Sequence, residues 1–155
     1  MLLLNNKIIT KGDKHILPVC GGSCLGANKV VNGTFDVDVS SWLPWYSGSI
    51  LWNNGQADVT VVLYQGAYQN ITGLTIGSTY LVTGVATNDL TAARVYVGAI
   101  NNPGSNPVLN LSNIDGAFSD AFIAKAETHG LGLSSSDGSG VSTFDNLMIR
   151  EIPGI

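Results

Sequence analysis

Very little in this chain can exchange a proton near neutral pH. Only 12% of its 155 residues are charged, and it holds two histidines (His15, His129), two glutamates (Glu127, Glu151) and two cysteines (Cys20, Cys24). Glu127 and His129 would share a face as strand residues i and i+2. A nucleophile and base also need a third, orienting group, so the pair reads as a solvated strand edge. No Gly-x-Ser-x-Gly elbow or phosphate-cradling loop occurs. The sequence predicts a protein that is not an enzyme. Two thiols cannot complete a structural zinc site, which leaves "CGGSC" as reduced thiols at a Gly-rich turn or a small local disulfide whose short loop stabilises little. Long apolar runs are missing too, so no segment is expected to span a membrane. "MLLLNNK" is too short for the apolar core of a signal peptide, and no conventional secretion signal is expected.

What is present is turn chemistry and β-forming residues. Gly numbers 19 and hydrophobic residues make up 45%, a composition that suggests an all-β domain. Candidate strands are 30–35, 48–52, 57–65, 67–72, 78–87, 92–100, 107–111, 117–124, 128–134 and 141–151, separated by turns such as "NNGQ", "NNPGSNP" and "SSSDGSG". That spacing predicts a β-sandwich or barrel, with no helix longer than a turn. Val59, Val61 and Leu63 fall on one face of their strand, and Ala93, Val95 and Val97 alternate with Arg94 and Tyr96. "TYLVTGVAT" is apolar on both faces, as a central strand would be, and its Gly84 marks a bulge or a close approach.

The charge is unevenly placed. Residues 1–29 carry Lys7, Lys11, Lys14 and Lys29 against Asp13, a net of +3, whereas residues 30–155 carry three cations against ten acids, a net of −7. These lysines are too few for a nucleic-acid footprint. Texture changes at the same place, dividing the chain into an arm (1–29) and a body (30–155).

Three motifs in the body occur in a recognisable order: "VNGTFDVDVSSW" (31–42), "YQNITGLTIGSTYLVTGVAT" (68–87) and "GVSTFDNLMIREI" (140–152). Together they resemble the carbohydrate-binding modules with a galactose-binding-like jelly roll. The resemblance runs from Val31 to Ile152 and implies a jelly-roll β-sandwich; the extended N-terminal arm, residues 1–29, lies outside it. It also implies a structural calcium joining the first and last strands through Asp36 and Asp145, with Thr34 nearby; calcium takes six to eight oxygen ligands. Such modules look like the small domains that tailed bacteriophages carry on their virions, assembled in the host cytoplasm. By that likeness the protein is a capsid decoration or fibre component, partnered by other virion proteins and by copies of itself. Leu3, Lys7, Ile8, Ile9 and Lys11 of the arm would then serve assembly, the β-branched "KIIT" adding a strand to a neighbour's sheet edge. The alternative is a lectin-like module that adsorbs to cell-surface or extracellular polysaccharide.

For either role the aromatic residues are the candidate contacts. "SWLPWYSGSILW" holds all three tryptophans. Sugar C–H faces stack on aromatic rings while amides bond the hydroxyls. Trp45, Tyr46 and Trp52, with Asn53, Asn54 and Gln56 alongside, have this chemistry. Tyr64 and Tyr68 are candidates for the same surface. Trp42 and Tyr80 fit the scaffold. The competing reading places these rings in the core or at a protein interface.

Overall fold

The computed structural model describes residues 25–88 and 92–154, together with three short strands nearer the N-terminus. Those three are β1 (Leu2–Leu4), β2 (Lys7–Ile9) and β3 (Leu17–Pro18), which pair antiparallel as a sheet of their own. Leu3 pairs with Ile8, Leu2 with Ile9 and Leu4 with Lys7. Lys11, Cys20 and Cys24 lie outside the described residues.

The body is a jelly-roll β-sandwich of two five-stranded antiparallel sheets. Its strands are β4 (Leu43–Pro44), β5 (Ser49–Asn53), β6 (Gln56–Val62), β7 (Ala67–Thr72) and β8 (Thr79–Asn88). They continue with β9 (Ala93–Gly98), β10 (Leu109–Ile114), β11 (Gly116–Ile123), β12 (Thr128–Ser135) and β13 (Ser139–Glu151). Sheet one runs β10-β9-β12-β7-β4 and sheet two runs β11-β8-β13-β6-β5. No helix occurs among the described residues.

Period-2 alternation decides which side chains fill the space between the sheets. Sheet two sends in Ala57, Val59 and Val61 from β6, Tyr80, Val82 and Ala86 from β8, and Phe144, Leu147 and Ile149 from β13. Sheet one answers with Ile71, Val95, Val97, Leu131 and Leu133. The Tyr80 ring is fully buried and its hydroxyl accepts a hydrogen bond from the Thr75 N–H (2.9 Å), which ties down the turn before β8. Gly84 marks a close approach: a Cβ there would lie 2.7 Å from both Phe118 and Leu147 side chains.

Two expectations of strand are corrected. Residues 30–35 do not form a strand; Asn32 and Phe35 take positive φ and the segment bends. The stretch from Gly26 to Gly33 still lies along β13, with Gly26 N–H donating to Glu151 O (2.8 Å), Lys29 N–H to Ile149 O (2.8 Å) and Leu147 N–H to Gly33 O (2.9 Å). The physical reason is a vacancy in the ladder. β6 begins at Gln56 and pairs with β13 only as far as Phe144, and β13 carries a register shift against β8 between Asp145 and Met148. The opening segment covers the edge left beyond that point. The second correction is at Leu63, which does not continue the buried row. β6 stops at Val62 and Leu63 is 75% exposed, because the chain reverses there through a two-residue turn.

Gly33 allows the closure along β13, since a Cβ there would sit 2.1 Å from Leu147 O, a backbone atom with no freedom to retreat. Gly33→Ala is therefore expected to cost about 3 kcal/mol. Gly77→Ala, at φ +87° but in open space, should cost only about 1–2 kcal/mol. Urea denaturation of the two variants checks the order; a loss at Gly33 no larger than at Gly77 would mean that the contact with Leu147 O relaxes and is not what requires glycine there.

Candidate functional site

The outer face of sheet one carries the chemistry. The inward rows are Ala93, Val95 and Val97 on β9, His129, Leu131 and Leu133 on β12, and Ala67, Gln69 and Ile71 on β7, so their neighbours face outward: Arg94, Tyr96 and Gly98 on β9, Gly130, Gly132 and Ser134 on β12, Tyr68 and Asn70 on β7. Cross-strand register aligns them, with Gly132 between Tyr96 and Tyr68, Gly130 between Gly98 and Asn70, and Ser134 beside Arg94.

Gly98, Gly130 and Gly132 make a floor without side chains, and the loop 99–106 lies on it. Pro103 is buried there: a Cβ on Gly98 would be 2.1 Å from its carbonyl oxygen, and one on Gly132 would be 2.4 Å from its ring. Asn70 and Asn101 hold the loop reciprocally, Asn70 Nδ2 donating to Asn101 Oδ1 (2.7 Å) and Asn101 N–H to Asn70 Oδ1 (3.0 Å).

Trp45 is the pivot of this face. It follows β4, and its N–H donates to Gly66 O (3.0 Å). Its ring lies over Gly132, against Gly104 of the loop, and edge-on to Tyr96 at 5.7 Å between centroids. It is only 4% exposed, and its indole N–H is buried without a hydrogen-bond partner among the described residues, an arrangement that costs about 1–3 kcal/mol.

Two recesses open on either side of Trp45. One, of about 320 Å³, is walled by Pro44, Trp45, Tyr46, Tyr68 and Asn101. The other, of about 390 Å³, is bounded by Trp45, Tyr64, Arg94 and Tyr96, with Asn102 and Ser105 contributing polar groups. Arg94 Nε donates to Asn110 Oδ1 (2.9 Å), and its guanidinium lies 4.9 Å from the centre of the Tyr96 ring. Burial holds the Tyr96 phenol above its ordinary pKa, while Arg94 pulls it the other way.

Tyr64 stands at the rim in an unusual backbone. Leu63 (φ 50°) and Tyr64 (φ 66°) are the central residues of a turn closed by Val62 N–H to Gln65 O (2.9 Å) and Gln65 N–H to Val62 O (3.0 Å). Such a type I′ turn suits Asn-Gly; in bulky residues each left-handed conformation costs about 1–2 kcal/mol. Ser134 Oγ donates to Tyr64 O (2.6 Å) and Tyr64 N–H donates to Gly138 O (2.9 Å), which hold it there.

The structure thus brings Trp45, Tyr46 and Tyr68 together and leaves Trp52 apart. Trp52 is on β5, at the edge of sheet two, with its indole N–H donating to Phe35 O (2.7 Å). Asn53 stays there with it, bonded to Asp58. The chain crosses from one sheet to the other between β4 and β5, so neighbours in sequence are separated by the sandwich. Trp42 is buried against Phe35, its N–H donating to Asn32 O (3.1 Å). Arg94 and Tyr96 were not singled out as site residues from the sequence, although the alternation of "ARVYVG" puts both on an outward face.

Asp36 is exposed and accepts a hydrogen bond from Thr34 Oγ1 (2.8 Å); Asp145 accepts from the N–H and Nδ2 of Asn146 (2.7 and 2.9 Å). These are hard oxygens of the kind calcium takes. Among the described residues no third His, Cys, Asp or Glu joins such a group, so hydroxyl and carbonyl oxygens would have to complete the shell. His129 is buried against Phe122; its ring nitrogens meet Gly98 O (3.0 Å) and the Lys125 N–H (3.2 Å). Glu127 is exposed.

The chain has the β-sandwich of carbohydrate-binding modules. A CBM4 module superimposes with a TM-score of 0.60 at 19% identity, covering 78% of this chain and 98% of that one. The CBM22-1 xylan-binding domain of Paenibacillus barcinonensis Xyn10C gives 0.58 at 11% identity, covering 86% of this chain and 100% of that one. The enzymatically active domain structure of bacteriophage CBA120 tailspike protein 4 gives 0.53 at 17% identity, covering 81% of this chain but 21% of that one. No protein-family model matches the sequence, and neither does any curated protein.

Proposed function

We propose that this protein is a non-catalytic glycan-binding domain whose ligand sits on the outer face of sheet one, around Trp45. The observation that carries the reading is the recess where Trp45, Tyr46 and Tyr68 converge with Asn101. Tyr46 is 69% exposed, so a large aromatic face meets water at no gain to folding, and stacking against the C–H face of a pyranose would use it. Solved structures of a CBM4 module and of a xylan-binding domain with the same fold support the reading. Tyr46→Ala and Tyr68→Ala are each expected to weaken binding about tenfold or more, a loss of at least about 1.4 kcal/mol, with melting temperature nearly unchanged for Tyr46→Ala. Affinity electrophoresis against a panel of soluble polysaccharides measures this. Binding that survives both substitutions would remove the ligand from this face.

A second reading adds a location. The strands β1–β3 pair with one another in a separate sheet, and part of a bacteriophage tailspike structure shares the body's fold. On this reading the module is displayed on a virion as a decoration or fibre component. Its arm, with Leu3, Lys7, Ile8, Ile9 and Lys11, joins it to other virion proteins or to further copies of the chain. Sedimentation of the full chain tests the self-assembly: an oligomer is expected, and Ile8→Asp with Ile9→Asp should dissociate it while glycan binding persists. A monomer in both cases would overturn the assembly role of the arm.

A structural calcium at Asp36, Asp145 and Thr34 belongs to the same proposal, with no step of glycan binding routed through it. Calcium should raise the melting temperature, and Asp145→Asn should abolish the rise; indifference to calcium removes the ion.

A further inference from the structure

The second recess, on the other side of Trp45, has a chemistry that aromatic stacking alone does not use. It contains a cation. The body holds three cations against ten acids, yet one of the three stands here, and among the described residues no acid lines the recess. Arg94 has no carboxylate partner among the described residues. Its Nε–H is committed to Asn110 Oδ1 (2.9 Å) and its central carbon lies over the Tyr96 ring, 4.9 Å from the centroid. This fixes the direction of the guanidinium while leaving the N–H groups of both terminal nitrogens without a partner among the described residues. A planar fork held in place this way matches a carboxylate through two parallel bonds.

The surroundings fit a sugar that carries such a group. Tyr64 and Tyr96 supply aromatic surface, and Asn102 and Ser105 supply hydroxyl partners. The volume of about 390 Å³ lies near the lower end of the roughly 300–1,000 Å³ usual for small-ligand sites. Trp45 on Gly132, with Gly104 against its ring, separates this recess from its neighbour and interrupts the sheet face. A single terminal residue fits that geometry better than a chain running across the sheet. The backbone at the rim supports a functional use: Leu63 and Tyr64 both hold the left-handed conformation that bulky residues resist, and such outliers concentrate at binding sites.

We propose that the recess bounded by Tyr64, Arg94 and Tyr96 binds a terminal pyranose bearing a carboxylate, with Arg94 gripping the carboxylate. The inference rests on the glycan-binding reading and deepens it. A polyanion is a poorer match than a single acidic residue, because the body around the recess has a net charge of −7 over residues 30–155 and repels a chain of charges.

The test is an NMR titration of the ¹⁵N-labelled full chain, following the amides of β9 and the Arg94 Nε–H. The probes are methyl glucuronide against methyl glucoside, which differ only in the carboxylate, and N-acetylneuraminate as a carboxylated pyranose of the other common kind. The acidic probe is expected to bind about tenfold more tightly than its neutral twin and to shift the Arg94 Nε–H. Arg94→Gln should erase that preference, and Arg94→Lys should restore only part of it. The stronger of glucuronide and N-acetylneuraminate identifies the source of the carboxylate. Equal affinity for the acidic and neutral glycosides, or a preference untouched by Arg94→Gln, overturns the carboxylate assignment and leaves the glycan reading standing. If no probe moves the β9 amides while neutral polysaccharides still bind through Tyr46 and Tyr68, this recess is not a sugar site. Loss of every glycan interaction on both faces of Trp45 would bring down both proposals.

Discussion

The contact between Pro103 and the glycine floor is the constraint on which the site depends. Three glycines, Gly98, Gly130 and Gly132, sit on two adjacent strands, and the places their side chains would occupy are filled by the loop 99–106 and by Trp45. A methyl group at any of them would meet Pro103 or Ala99 at 2.1–2.5 Å, so the loop would have to lift. Trp45 would then lose its packing against Gly104, and with it both recesses, since each uses the same indole as a wall. Close packing over glycine also explains how a buried tryptophan can stand on what is formally the solvent side of a sheet. The loop makes a small third layer there, fastened by the reciprocal Asn70–Asn101 amide pair.

A buried amide does the equivalent work at the edge. Gln69 is 5% exposed. It accepts from the Val31 N–H (2.8 Å) and donates through Nε2 to Val31 O (2.8 Å) and Ser41 O (3.2 Å). Its side chain thus takes the Val31 and Ser41 backbone groups that are not bonded to β13, satisfying groups whose desolvation would otherwise be costly. Holding Ser41 also sets the start of the segment that delivers Trp42 to the core and Trp45 to the outer face. A residue that touches no recess except through its neighbours therefore governs where the aromatic wall stands.

These particulars show what the sequence made legible. Wherever one face of a strand is apolar, as in Val59–Val61 or Val95–Val97, alternation alone gave the element and its orientation, because burial of that face dominates the local energetics. The sandwich followed from repetition of the pattern. Residues 30–35 and the turn at Leu63–Tyr64 resisted the same reading, for opposite reasons. The first has strand-like composition but its partner edge is bulged, a non-local fact. The second has no Gly or Asn to announce a type I′ turn, because Ser134 and Gly138 hold it from across the fold. The site was half legible. Trp45, Tyr46 and Tyr68 belong to one recess, but Trp52, only seven residues from Trp45 in the sequence, lies beyond the crossover. No local pattern marks where a chain changes sheets.

Charge acts on this surface over two distances. At physiological ionic strength the screening length is roughly 8 Å, so most of the acids of the body are weakly felt by a small ligand in the recess beside Arg94. The guanidinium is partly covered by Tyr96 and is not screened to the same degree at contact. A negatively charged domain can in this way select a negatively charged residue, provided the ligand carries its charge at one point and the cation is held in a fixed direction. Asn110 and Tyr96 supply that direction from two neighbouring strands, paired with each other across the sheet. The selectivity of the face is thereby tied to the register of β9 and β10, and through Gly132 and Trp45 to the same packed loop that shapes the neighbouring recess.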